Sequence, residues 1–119
     1  YKKWHLIGLE LGISVASVGL RAEPTGAAIC FNADVPAIAK VDLKAGSILD
    51  GEGGFTIYGG VRPARLSVTR NYLPLGLAKH AKLIKPVKRD QPIGYDDAEI
   101  DTNSSAYMMR KKTIALLGS

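Results

Sequence analysis

Apolar positions near the start of the chain recur with helical spacing. Leu6, Leu9, Ile13, Ala16 and Leu20 form a rough stripe, and Gly8 and Gly12 stand four apart on one face. This predicts a helix whose small residues let a neighbouring backbone approach closely. Glu23-Pro24-Thr25-Gly26 ends it, because proline lacks an amide donor and glycine accepts a left-handed cap. From about Ala33 the helical period disappears. Short apolar runs at Val35 to Ala39, Phe55 to Tyr58, Leu66 to Val68, Lys82 to Ile84 and Ile114 to Leu117 are separated by turn signals at Lys44-Ala45-Gly46, Gly51-Glu52-Gly53-Gly54 and Leu73-Pro74-Leu75-Gly76. Runs of that length between turns predict a mainly β domain over residues 33–119, preceded by a helical segment over 1–32.

Within the second segment a short passage repeats. Lys40 to Asp50 is echoed by Lys85 to Ile93, and setting Lys40 against Lys85 brings Ile48 onto Ile93 and Gly46 onto Gln91. The echo predicts two similar hairpin-like units, the second turning without a glycine.

Composition narrows the class. A chain of 119 residues with 46% hydrophobic and 23% charged residues is globular and large enough for one core. Cys30 is the single cysteine, which excludes an internal disulfide and fits a reducing, cytoplasmic setting. The stretch from Trp4 to Leu20 holds His5, Glu10 and three glycines, so it is a poor membrane span and a poor signal peptide. A chain that opens at Tyr1 almost directly into a helix reads as the C-terminal piece of a longer protein.

Charge is uneven. Arg62, Arg65, Arg70, Lys79, Lys82, Lys85, Lys88 and Arg89 fall in a stretch without an acid, and Asp90, Asp96, Asp97, Glu99 and Asp101 come within the next dozen positions. Opposite charges this close neutralise one another in part, and the remainder makes a basic surface that faces an anion. Nucleic acid is disfavoured because there is no aromatic strand pair, helix-turn-helix or zinc set. The best anion contacts are Arg62, Arg65, Arg70, Lys79, His80 and Lys82, and the anion is a small molecule.

The passages Asp42 to Asp50, Leu73 to Ala78 and Arg89 to Ile93 resemble the SAF domain, the antifreeze-like module of sialic acid synthases and related proteins. More narrowly, His5 to Glu10, Gly12 to Ala16, Glu23 to Gly26 and Leu49 to Gly54 are similar to the C-terminal part of bacterial homoserine-dehydrogenase-like oxidoreductases that end in such a domain. The resemblance implies a β-clip fold from about residue 33, with the initial helix belonging to a larger α/β parent. It also implies an NAD(P)-binding Rossmann domain upstream of Tyr1. Exposure of Trp4, Leu6 and Leu11 in the isolated chain predicts self-association into a homo-oligomer. No cofactor site is implied in this chain, where Gly51, Gly53 and Gly54 precede a strand-like run and offer no helix N-terminus to a pyrophosphate.

No catalytic or metal site emerges from the residues. His5 and Glu10 lie about 140° apart on an ideal helix. Asp96, Asp97, Glu99 and Asp101 lack the glycine-centred spacing of a calcium loop. Ser104, Ser105 and Thr113 have no base nearby in sequence. The chain is expected to be an accessory region without turnover of its own, helping to shape a substrate site or a subunit interface. The alternative is a free-standing module that binds a carbohydrate, sugar acid or protein partner.

Overall fold

The computed structural model describes residues 3–26 and 30–117, and Tyr1, the expected junction with an upstream domain, lies outside them. The elements in chain order are α1 (Ile7–Arg21), β1 (Ala33–Asp34), β2 (Ala37–Ala39), β3 (Ile57–Gly59), β4 (Arg62–Pro63), α2 (Ala64–Thr69), α3 (Leu75–Ala78), β5 (Lys82–Leu83), a 3-10 turn (Tyr95–Asp97), β6 (Ala98–Glu99) and α4 (Ser105–Leu117). Among the described residues no helix is long and apolar enough to cross a membrane.

The initial helix forms where the apolar spacing places it. Its last residue is Arg21, two before the expected Glu23: Ala22 takes the left-handed conformation (φ 53°), its N–H donates to the Val18 carbonyl, and the Glu23 N–H reaches the Ser17 carbonyl. Pro24 then prevents continuation.

Beyond this helix the chain does not form the expected mainly β, β-clip domain. The fold is a mixed α/β domain with 35% helix and 20% strand, three two-stranded antiparallel sheets and helices at both termini. Two apolar runs read as strands are helical. Leu66 to Val68 lies in α2, which starts after Pro63 has fixed the entry of the chain. Ile114 to Leu117 closes α4, where Ala106, Met108, Met109, Arg110, Lys111 and Lys112 are strong helix formers that outweigh a four-residue apolar run. The turn expected at Leu73 to Gly76 is the start of α3. The runs at 35–39, 55–58 and 82–84 do supply β2, β3 and β5.

The repeat is real and shifted by one. β2 pairs with β3 and β5 pairs with β6, each antiparallel. Between these units Leu43 and Val87 exchange both backbone hydrogen bonds (2.8 and 2.9 Å), with Ile38 opposite Pro92 and Ile48 opposite Lys82. The two units thus interlock about an approximate two-fold axis through Leu43 and Val87, which sets Gly46 against Asp90 rather than Gln91. Both turn residues have positive φ, 85° and 64°, and each turn closes with the same 3.1 Å bond, from Ser47 to Lys44 and from Gln91 to Lys88. Aspartate tolerates this conformation better than most residues, so the second turn manages without glycine.

The core lies where the halves meet. Leu49, Ile57, Leu73, Leu83 and Ile93 are fully buried, with Ala37, Ala39 and Ala78 packed among them. Three segments close a ring of backbone hydrogen bonds: Ala37 N–H to the Leu73 carbonyl, Leu73 N–H to Ile93, and Ile93 N–H to Ala37 (2.8, 2.8 and 2.9 Å). Helix α1 contrasts with this body, since Ile7, Leu9, Leu11, Ile13, Val15, Val18 and Leu20 are all exposed and only Ser17 is buried.

Candidate functional site

A cavity of about 400 Å³ opens between the end of α3 and the start of α4, lined by Gly76, Leu77, Lys79, His80, Ala81, Ile100, Asp101, Ser104 and Ala106. Its basic wall is built by backbone constraint. His80 adopts a left-handed conformation (φ 66°) while its N–H donates to the Leu49 carbonyl at 2.9 Å, which turns the chain sharply at the mouth. Lys79 lays its aliphatic stem over Gly51, where a Cβ would stand 3.1 Å from both Cβ and Cγ of the lysine. Gly51 has φ 83° as well, so close approach and conformation both require glycine there.

The opposite wall is the start of α4. Ser104 Oγ accepts from the Tyr107 N–H at 3.3 Å and donates to the Asp101 carbonyl at 2.9 Å, while Asp101 Oδ1 accepts from Asn103 N–H at 2.9 Å. These turns cap the helix and aim its first amides, those of Ser105 and Ala106, outward without intrahelical acceptors. A lysine, an imidazole and a helix N-terminus around one hollow favour an anion, against the one carboxylate in the lining, Asp101, whose Oδ1 is engaged by the Asn103 N–H. The geometry does not favour nucleophilic catalysis, because the Ser104 hydroxyl gives its proton to a carbonyl rather than to His80.

Of the six expected anion contacts, only Lys79 and His80 meet at this cavity. Arg62 lies in β4 opposite Asp34 and donates to the Val61 carbonyl. Arg65 and Arg70 are exposed on α2 and at its C-terminal end, and Lys82 stands opposite Glu99 in the β5–β6 pair. Much of the remaining basic charge is matched, Lys85 by Asp97 (3.7 Å), Lys88 by Asp42 (3.0 Å) and Arg89 by Asp90 (3.5 Å). His5 and Glu10 come within 3.6 Å because His5 precedes the helix rather than sitting on it, and both side chains face solvent.

Sequence reasoning missed what positions α4. Arg110 sends Nη1 and Nη2 to the two carboxylate oxygens of Asp34 (3.1 and 2.5 Å), Ser67 Oγ donates to the same carboxylate at 2.5 Å, and the guanidinium lies 4.9 Å from the Phe31 ring centre. The Arg110 and Asp34 side chains are only 11% and 7% exposed. The pair joins residues 76 apart, so nothing local in the sequence signals it. The capping turn was readable: Asp101-Thr102-Asn103-Ser104 before a run of helix formers is an N-terminal signature.

The loop that carries Gly51 under the Lys79 stem is fixed by Asp50. The Asp50 carboxylate accepts from the Phe55 N–H (2.5 Å), the Thr56 N–H (3.1 Å) and the Thr56 hydroxyl, and these bonds hold its pKa below the ordinary 3.8, the Thr56 hydroxyl most strongly. Asp42 is lowered in the same direction, first by the Arg89 N–H and then by Lys88. The run after this glycine-rich loop is strand β3, so the loop offers no helix terminus to a dinucleotide. No protein-family model and no curated protein matches this chain.

Proposed function

We propose that this chain is the C-terminal accessory region of a cytoplasmic, homoserine-dehydrogenase-like NAD(P)-dependent oxidoreductase, serving substrate binding and assembly. The observation that carries the reading is α1. Seven large apolar side chains on one helix, each more than 60% exposed, describe an element that buries its surface against something else. An upstream Rossmann domain, in a homo-oligomeric parent, supplies that surface, and hydride transfer belongs to it. The Lys79–His80 cavity then faces an anionic substrate held by the parent. NAD(P) binds the upstream domain and not this chain.

The test is titration of this chain and of the upstream reading frame joined to it with NADH and NADPH, monitored through Trp4 fluorescence. Binding by the longer protein alone supports the reading. Nucleotide binding by this chain alone, or an upstream frame without a strand-Gly-x-Gly-x-x-Gly-helix unit, overturns it. In the parent, Lys79→Met should raise KM for the anionic substrate and leave kcat unchanged.

The interlocked body favours a second reading, a free-standing binding module. Its core closes among residues 37–98 without using α1. Deletion of residues 1–26 separates the two: retained ligand binding and solubility favour the module, whereas loss of binding along with α1 favours the oxidoreductase.

A further inference from the structure

A second cavity, of about 310 Å³, lies on the other side of α4, lined by Asn71, Tyr95, Tyr107, Arg110, Lys111 and Ile114. It is bordered by two buried polar atoms that make no well-aligned hydrogen bond, the Tyr95 hydroxyl and Arg110 Nε, although the Arg110 guanidinium lies close enough to the phenol to favour its ionised form. Arg110 Nε can only donate, the Tyr95 hydroxyl can donate or accept, and a buried O–H or N–H without a well-placed acceptor is costly enough that native structures seldom keep one. Arg110 spends its two terminal nitrogens on Asp34, so its Nε edge is left for another acceptor. Lys111 adds a third donor at the rim, with its ammonium 5.6 Å from the Tyr107 ring centre. None of the six lining residues is acidic. The nearby carboxylate of Asp96 is taken up by Asn71 Nδ2 at 3.1 Å.

We propose that this cavity binds a small carboxylate whose apolar body packs on Tyr107 and Ile114. One carboxylate oxygen takes the Tyr95 O–H and the Arg110 Nε–H, and the other takes the Lys111 ammonium. Asp34 behind Arg110 keeps the guanidinium in place, so the donor edge is preorganised before the ligand arrives. The Tyr107 ring packs T-shaped on Tyr95 at 6.3 Å, and the Tyr95 hydroxyl and Arg110 Nε are shielded from solvent, so admission of the carboxylate requires a side chain of the cavity wall to rotate. This site is separate from the Lys79–His80 cavity and does not depend on the oxidoreductase reading.

The experiment is titration of the full chain with benzoate, with the neutral isostere benzyl alcohol and with inorganic phosphate, read by the tyrosine ring resonances and by thermal shift. Benzoate should perturb Tyr95 and Tyr107 and raise the melting temperature, and neither other compound should match it. Tyr95→Phe, which keeps the ring, and Lys111→Met, on an exposed position, should each weaken benzoate about tenfold, the worth of one charge-assisted hydrogen bond. Lys79→Met should leave the affinity unchanged. Equal affinity in Tyr95→Phe overturns the proposal. So does phosphate competing as well as benzoate, and so does an ordered water that bridges Tyr95 and Arg110 at saturating benzoate.

Discussion

Removing the Arg110 guanidinium while keeping its stem, as Arg110→Met, tests what holds α4 to the body. The change deletes two hydrogen bonds to Asp34 and leaves a carboxylate that is 6% exposed with the Ser67 hydroxyl alone. Breaking a buried pair on one side costs about 3–5 kcal/mol, because the surviving charge keeps its desolvation penalty without its partner. Stacking on Phe31 adds about 0.5–1 kcal/mol. Against a total stability of about 5–15 kcal/mol the loss is large, and it corresponds to a fall of roughly 10–20 °C in melting temperature. The double variant Asp34→Leu with Arg110→Met carries neither charge. It should recover most of the loss, short of about 1–3 kcal/mol for the stranded Ser67 hydroxyl. Urea unfolding monitored by far-UV circular dichroism, on wild type, both single variants and the double, gives the coupling energy directly. A single-variant loss below about 1 kcal/mol, or strictly additive losses, would refute the account of α4 as anchored by this pair.

Four further outcomes are expected. Gly54→Ala drives a Cβ into the Asp50 carboxylate, so it should break the cage of hydrogen bonds around that group and cost about 1–3 kcal/mol in urea unfolding. Asp90→Gly relieves a left-handed non-glycine residue and should stabilise by up to about 1 kcal/mol, whereas Gly46→Ala, at φ 85°, should destabilise by about as much; opposite signs in chemical denaturation check the pairing of the two turns. Asp42 and Asp50 both titrate below 3.8 in the fold, so they contribute stability above that pH and lose it as pH falls through their folded values. The acid limb of a stability-against-pH curve should therefore flatten in Asp50→Asn. Burial raises the Tyr95 pKa, partly offset by Arg110, so that contribution is present below the ordinary value of 10.0 and is lost as pH rises through the folded one; alkaline unfolding monitored by tyrosinate absorbance should become shallower in Tyr95→Phe.

How far the sequence could be read depended on the range of the interactions. Helix α1 was legible because its stripe and its terminating Pro24 lie within one segment. The repeat was legible, yet the lysine identity at 40 and 85 pulled the alignment to a spacing of 45. The chain instead matches Leu43 with Val87 and Leu49 with Ile93, positions set by burial and by the two positive-φ turns. Helix α4 was lost because a four-residue apolar run looks alike in a strand and at the end of a helix. Half-buried Tyr107 and Arg110 mark its packed face, but the partner of Arg110, Asp34, lies far back in the chain. Lys79 and His80 could be singled out as basic residues. Their meeting with Ser104 and Asp101 needed the packing of α3 on α4.

The closed ring through Ala37, Leu73 and Ile93 sets the order in which this protein can be made. No two of its three members are neighbours in sequence, so two of its three hydrogen bonds wait in a growing chain until Ile93 has left the ribosome. A nascent chain ending at Ile84 has β2, β3 and much of the core's apolar surface but neither Val87 to close on Leu43 nor Ile93 to close the ring. Such a topology makes folding wait on non-local closure and leaves the intermediate sticky during synthesis. The topology therefore asks the body to close as one unit, late in synthesis, since β6 at Ala98–Glu99 and Ala98 of the core also follow Ile93.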